Sequence, residues 1–416
     1  MNPHWLPRWR IVQLLLAAVI ICTVAIVVPA YAASPAITTS GQPPPTTIST
    51  SSTDTLQSVQ KEYQSISQNG IEEAWNNLQS EYGGYLPTTG SGIVKAFLPG
   101  GSGFSFQGVA NGLLRFLIDA LWSNARLLGT LLILTVLAAI LENVQTAFES
   151  QTVSKVAFLV VHLTLLVLAI SSFHDATQFA GSAIDNMTAV MFGSLPIVLA
   201  LVTASGGLTS AAVFHPMVVF VVNAMSVIVQ KWVFPLIFFA AVLTIVSAIS
   251  GKFKVVALAG LIRNVTLTVL GLSMTAFLGV MAVQGSIASV TDGVALKSAK
   301  FVAGSLIPVV GKALSDATQS IAGATLLVKN ATGVASAILL LLISAFPAIK
   351  VLVLSIVYNG AAALMQPLGD SPVITTLSTI GKTLAIVFAA LAVVGVMFFF
   401  SMVIIIAATN VTAFVR

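Results

Sequence analysis

His162, Asp175, Asn223, Asp316 and Lys350 are the residues that could do chemistry in a chain that is otherwise strongly apolar. An imidazole can pass a proton, an amide offers a donor and an acceptor, and the charged groups can hold water or a counter-ion. Burying such groups in hydrocarbon is costly, so each is a candidate for lining a polar path for a solute or a proton. The alternatives are interhelical hydrogen bonds for His162 and Asn223, and snorkelling for Lys350. Asp175 and Asp316 each head the same tetrad, Asp-Ala-Thr-Gln, at 175–178 and again at 316–319.

Catalytic patterns are missing. Gly381-Lys382-Thr383 looks like the end of a phosphate-binding loop, but Thr376 stands where that loop needs glycine, and no strand pattern precedes it. Gly101-Ser102-Gly103 lacks the third glycine and the helix of a dinucleotide site. The four histidines show no metal-ligand spacing, and there is no serine-centred nucleophile elbow. These absences predict no catalytic, cofactor or metal site, and so no enzyme. Cys22 is the single cysteine, which leaves no disulfide to expect.

The elements that must position the polar groups follow from composition. Hydrophobic residues make up 57% of the chain and charged residues 7%, against about 25% charged in an ordinary soluble domain. No soluble core could bury that much apolar surface. The predicted fold class is therefore an all-α polytopic membrane protein with about seven to nine transmembrane helices. The net charge of +5 is spread singly, with no basic stripe for nucleic acid.

Residues 1–32 read as a signal peptide: Arg8 and Arg10 form the basic region, an apolar stretch follows, and Ala30-Tyr31-Ala32 makes a small-x-small cleavage site. An uncleaved anchor is the alternative; either places residue 33 outside the cytoplasm. Residues 33–55 are a Pro/Ser/Thr-rich tether. In 56–112, Leu56, Val59, Tyr63 and Ile66, then Ile71, Trp75, Leu78 and Tyr82, step by three and four. This spacing predicts two short amphipathic helices, broken near Gly70, whose apolar faces need a partner or a membrane surface. A Gly-rich connector follows.

The membrane domain covers 113–416, with spans expected at 127–144, 156–173, 187–205, 213–230, 233–250, 265–285, 332–349, 351–367 and 384–408. Residues 301–328, broken by Pro308, Gly311, Lys312 and Asp316, read as a re-entrant or interfacial hairpin. With the N-terminal region outside, Lys252, Lys254 and Arg263 fall in the cytoplasm, as do Lys155, Lys350 and Arg416. Lys231, Lys297 and Lys300 fall outside, against the positive-inside rule. The small-residue run at 204–212 suits a tight turn, a close helix crossing or an unwound segment. A faint internal repeat sets 246–252 against 377–382, although this topology puts Lys252 inside and Lys382 outside.

Several long stretches are peculiar enough to recognise. They include Tyr82-Gly83-Gly84-Tyr85-Leu86-Pro87, RLLGTLLILTVL from Arg126 and FESQTVSKVAF from Phe148. LALVTASGGLTSAAVFHP from Leu199, VQGSIASVTDGVALKSAKF from Val283 and IPVVGKALSDATQS from Ile307 continue the series, with AFPAIKVL from Ala345 and MQPLGDSPV from Met365. In these the chain closely resembles the stage III sporulation protein AE family of endospore-forming bacteria, over about residues 82–416. The resemblance implies a mother-cell membrane protein around the engulfed forespore. It implies partners too: the other stage III A proteins and the forespore protein Q, in a channel-like complex that sustains late forespore gene expression. It carries no catalytic residues over, and any ATP dependence would come from another subunit. Two roles stay open, a transport or gating subunit and a non-conducting scaffold.

Overall fold

The computed structural model describes residues 70–87, 92–98, 104–147, 151–205, 207–249, 255–306, 310–369 and 371–414. The signal peptide, the tether and the helix expected over 56–69 lie outside these residues, as do Lys252 and Lys254. Every regular element among the described residues is helical. They are α1 (Gly70–Tyr82), α2 (Ile93–Ala96), α3 (Phe106–Ser123), α4 (Ala125–Ala147), α5 (Gln151–Ala204), α6 (Leu208–Val227), α7 (Phe234–Ile249), α8 (Val256–Leu306), α9 (Val310–Met365) and α10 (Pro372–Phe414). A π-turn over Ile228–Val233 joins α6 to α7, and a 3-10 turn over Gln366–Leu368 follows α9. The π-turn has a local cause. Pro235 cannot supply the N–H that would bond four residues back, and widening the preceding turn accommodates that loss.

Among the described residues there are six candidate spanning helices. Expected neighbours at 156–173 and 187–205 run together as α5, those at 213–230 and 233–250 as the α6–α7 rod, and those at 332–349 and 351–367 as α9. Polar residues such as His174, Asp175, Asp185 and Asn186 fell between the first two of these expected spans. They are the exposed face of an unbroken helix instead. The expected hairpin at 301–328 is not a separate unit: α8 runs to Leu306 and α9 starts at Val310. The repeated segments also sit differently. Residues 246–249 close α7 and 250–252 lie outside the described residues, whereas 377–382 lie inside α10.

At the centre, α9 and α10 fold back on each other around Gly369, whose φ of +111° suits glycine alone. Gly381 abuts Asn359, Gly395 abuts Ser344, and Gly333 abuts Ile406, so the pair is antiparallel and in close contact for most of its length. Missing side chains let the two backbones approach, as in membrane helix pairs. These two helices are the most enclosed, with 67% and 56% of their apolar windows buried. On α9 lies α5: the Tyr358 hydroxyl donates to the Leu168 carbonyl and pairs with Ser172, and Leu201 packs near Val328 at the far end.

The small-residue run is a tight turn. The α5 helix ends at Ala204, Gly207 caps α6, and the buried Asp292 of α8 accepts from the backbone N–H groups of Thr209 at 2.8 Å and Ser210 at 3.0 Å. A carboxylate there satisfies free helix donors and favours the positive end of the helix dipole. Asp292→Asn should therefore lower stability by about 1–3 kcal/mol. The check is a thermal melt of the detergent-purified protein; an unchanged midpoint would show that Asp292 does not hold this turn.

The amphipathic stripe Ile71, Trp75, Leu78 and Tyr82 is wholly buried. Its partner is the protein's own body: α1 lies on α5 and α9, with Gly70 close to Gly193. Glu73, Asn76, Asn77, Ser80 and Glu81 face outward.

Candidate functional site: the cleft at Lys350

Where α1 crosses α5 and α9, a cleft of about 300 Å³ opens. Its chemistry comes from Lys350 on α9, Glu81 and Tyr82 on α1, and Ser182 and Asn186 on α5. The Lys350 ammonium donates to the Tyr82 hydroxyl at 3.0 Å and pairs with the Glu81 carboxylate at 3.5 Å. It also lies 5.1 Å from the centre of the Tyr82 ring and 5.4 Å from that of Phe179. Behind it, Tyr82 stacks on Phe346 at 4.2 Å, and Phe116 of α3 meets both rings edge-on. One helical turn separates Phe346 from Lys350, so the same face of α9 carries an apolar anchor and a charged contact for α1.

Burial first, and then the neighbouring Glu81 carboxylate, hold the Tyr82 hydroxyl far above the usual phenol range. Tyr82 is thus a neutral acceptor for Lys350 at any physiological pH. The half-buried Tyr85 donates to Asp119 of α3 at 2.9 Å, and that bond raises its hydroxyl too. Glu72 accepts from the backbone N–H groups of Ile93 and Val94, both at 3.3 Å, and so ties α2 to α1. At Gly92, with φ +89°, a side chain would run into that carboxylate.

The structure brings one of the expected polar residues, Lys350, into this cleft, and its contact with α1 sets it on the same side as the N-terminal region, against the expected topology that put the two on opposite sides. His162 is 1% exposed on α5, next to Phe158, and neither of its ring nitrogens has a hydrogen-bond partner. Asp175 and Asn223 face outward on α5 and α6. Asp316 lies on α9, and its side chain is outside the described residues.

Other polar groups were not singled out from the sequence. Glu81 and Asp292 form contacts across more than eighty residues, which periodicity cannot reveal. Asp185 accepts from Gln230 at 2.8 Å, joining α5 to the π-turn. Lys329 is fully buried on α9; a lone lysine within a long apolar helix was the available signal. Among the described residues no cluster of His, Cys, Asp and Glu could hold a metal ion.

The sequence model of the family described as stage III sporulation protein AE matches residues 89–409. The chain belongs to that family. It is also similar to stage III sporulation protein AE of Bacillus subtilis (strain 168), with 45% identity over 352 residues, covering 85% of this chain and 88% of that protein. No solved structure matches. Membership and the apolar helices together make this a sporulation membrane protein. Two stretches that carry the resemblance, from Leu199 and from Val283, meet in the structure where Asp292 caps α6.

Proposed function

We propose that this protein is a gating or transport subunit in the mother-cell membrane around the forespore. It would act with the other stage III A proteins and the forespore protein Q in a channel-like assembly that sustains late forespore gene expression. ATP, if used, would act through a partner subunit.

The observation that carries this reading is the polar cleft at Lys350. A scaffold needs α1 anchored, and Trp75, Leu78 and the Tyr82–Phe346 stack supply that anchor. The added lysine–carboxylate contact is half exposed and weak, on the order of 0–1 kcal/mol. It contributes little to stability but can open and close. Asp175 and Asn223 face away from the bundle, so a conduit lined by them is completed by another subunit. A scaffold role is the second reading, favoured by the tight α9–α10 core, which leaves no passage between those two helices.

The test is charge reversal. Lys350→Glu and Glu81→Lys should each lower a late forespore reporter by about tenfold while partners still co-purify, an effect worth about 1.4 kcal/mol if read as an equilibrium. The double exchange should restore part of the signal. A scaffold instead predicts a normal reporter in both single variants, or a defect that always comes with lost co-purification.

A further inference from the structure

The Lys350 cleft holds one charge of each sign and leaves much of its hydrogen-bonding capacity unused. The side chains of Lys350 and Glu81 are 31% and 60% exposed, and they meet at 3.5 Å, long for a charge-assisted bond. An ammonium has three N–H groups. The Tyr82 hydroxyl takes one at 3.0 Å and Glu81 a second, so one remains for a ligand. Asn77 on α1 and Ser182 and Asn186 on α5 also line the cleft. Their side chains have no hydrogen-bond partner among the described residues.

Pro347 adds a backbone acceptor. It lies inside α9 and has no N–H, so the Ile343 carbonyl, one turn earlier, lacks its helical partner. Both residues line the cleft. The place of Lys350 does not rest on Glu81, because the buried Tyr82 that receives it is stacked on Phe346. Glu81 can therefore turn to a ligand while the ammonium stays where it is.

Charge decides the class of ligand. A simple carboxylate would meet Lys350 but would also crowd the Glu81 carboxylate, and a simple amine would crowd Lys350. A molecule with both charges meets an opposite one at each end. In an α-amino acid the nitrogen and the carboxyl carbon are about 2.5 Å apart, short enough to lie head to tail across the 3.5 Å pair. Ser182 and Asn186 supply neutral donors for its carboxylate, and the Ile343 carbonyl supplies a second acceptor for its ammonium. The remaining walls, Leu78, Phe179 and Val190 among them, are apolar. A volume of about 300 Å³ suits one small molecule.

We propose that the cleft binds a free α-amino acid with an apolar side chain. The inference rests on the reading of this cleft as the working site and names what enters it.

Equilibrium dialysis of the full-length protein in lipid nanodiscs, with radiolabelled leucine and phenylalanine, tests this. At least one of the two should bind saturably. Isocaproate, which is leucine without its amino group, and isoamylamine, which is leucine without its carboxylate, should each compete at least about tenfold less well than leucine. Lys350→Met should weaken binding at least about tenfold. Asn186→Ala, on the α5 wall and away from the packing that anchors α1, should also weaken it, and it decides the matter if Lys350→Met does not fold. Three results would overturn the proposal: no saturable binding of either amino acid up to about 1 mM, equal competition by the two single-charge analogues, or unchanged affinity in either variant. Loss of the forespore reporter on charge reversal without amino-acid binding would sink this inference and leave the gating reading standing. Binding with a normal reporter would do the opposite.

Discussion

Replacing Gly395 with leucine is expected to deplete the protein from the membrane fraction and to stop the formation of heat-resistant spores. A Cβ at this position would lie 2.5 Å from the Ser344 hydroxyl and 2.8 Å from its Cβ, closer than real side chains approach. Ser344 is itself tied back to the Leu341 carbonyl at 2.9 Å, so it can yield only by giving up that bond. Overpacking of this kind costs about 1–3 kcal/mol for a few added carbons, and leucine brings four where the Ser344 side chain already fills the space. Every other long helix described above leans on this pair, so the strain would spread beyond the contact. Immunoblots of membrane fractions beside a spore count give the answer. Gly395→Ala should be milder, and wild-type levels of Gly395→Leu would mean that α9 and α10 do not meet there.

Trp75→Ala should detach α1 from the bundle. The indole is 1% exposed and is the largest fully buried side chain among the described residues. Removing a buried aromatic costs about 3–5 kcal/mol, more than a helix of 13 residues can recover on its own. Glu81 and Tyr82 would leave Lys350, and the segment between α1 and α3 would become open to protease. Limited proteolysis of purified protein should show rapid cutting between 82 and 106 in the variant and slow cutting in the parent. Glu73→Ala, on the outward face of α1, should behave as the parent, within about 0.5 kcal/mol. Equal protection of Trp75→Ala and parent would show that α1 is held by something else.

Sequence alone disclosed the stripe of α1, because a three-four period needs no knowledge of what it faces. The partner of that stripe was not legible: Phe346 and Gly193 lie far along the chain, and an apolar helix lists every candidate partner equally. Helix ends failed for a related reason. His174, Asp175 and Asp185 are too polar for hydrocarbon, so a rule that equates helix with span breaks the helix there; a helix that leaves the bilayer keeps its hydrogen bonds and exposes those side chains to water. For the candidate site, Lys350 stood out as a charge between apolar runs, but Glu81 looked like any surface acid. His162 also stood out, and its burial without a partner is a fact that only packing could supply.

The order in which the chain is made matters for the central hairpin. Most of the enclosed surface belongs to α9 and α10, which are synthesised last, whereas the windows of α4 to α8 are only 17–28% buried. The early helices can therefore enter lipid one at a time, each tolerable alone, and wait. Their polar contacts to α9, such as Ser172 with Tyr358 and Glu81 with Lys350, have no counterpart until the final quarter of the polypeptide arrives. Biogenesis thus has a late checkpoint. A ribosome that stops before α9 releases an inserted but unassembled chain in which Ser172 and Glu81 still lack these partners, the kind of substrate that membrane quality-control proteases remove.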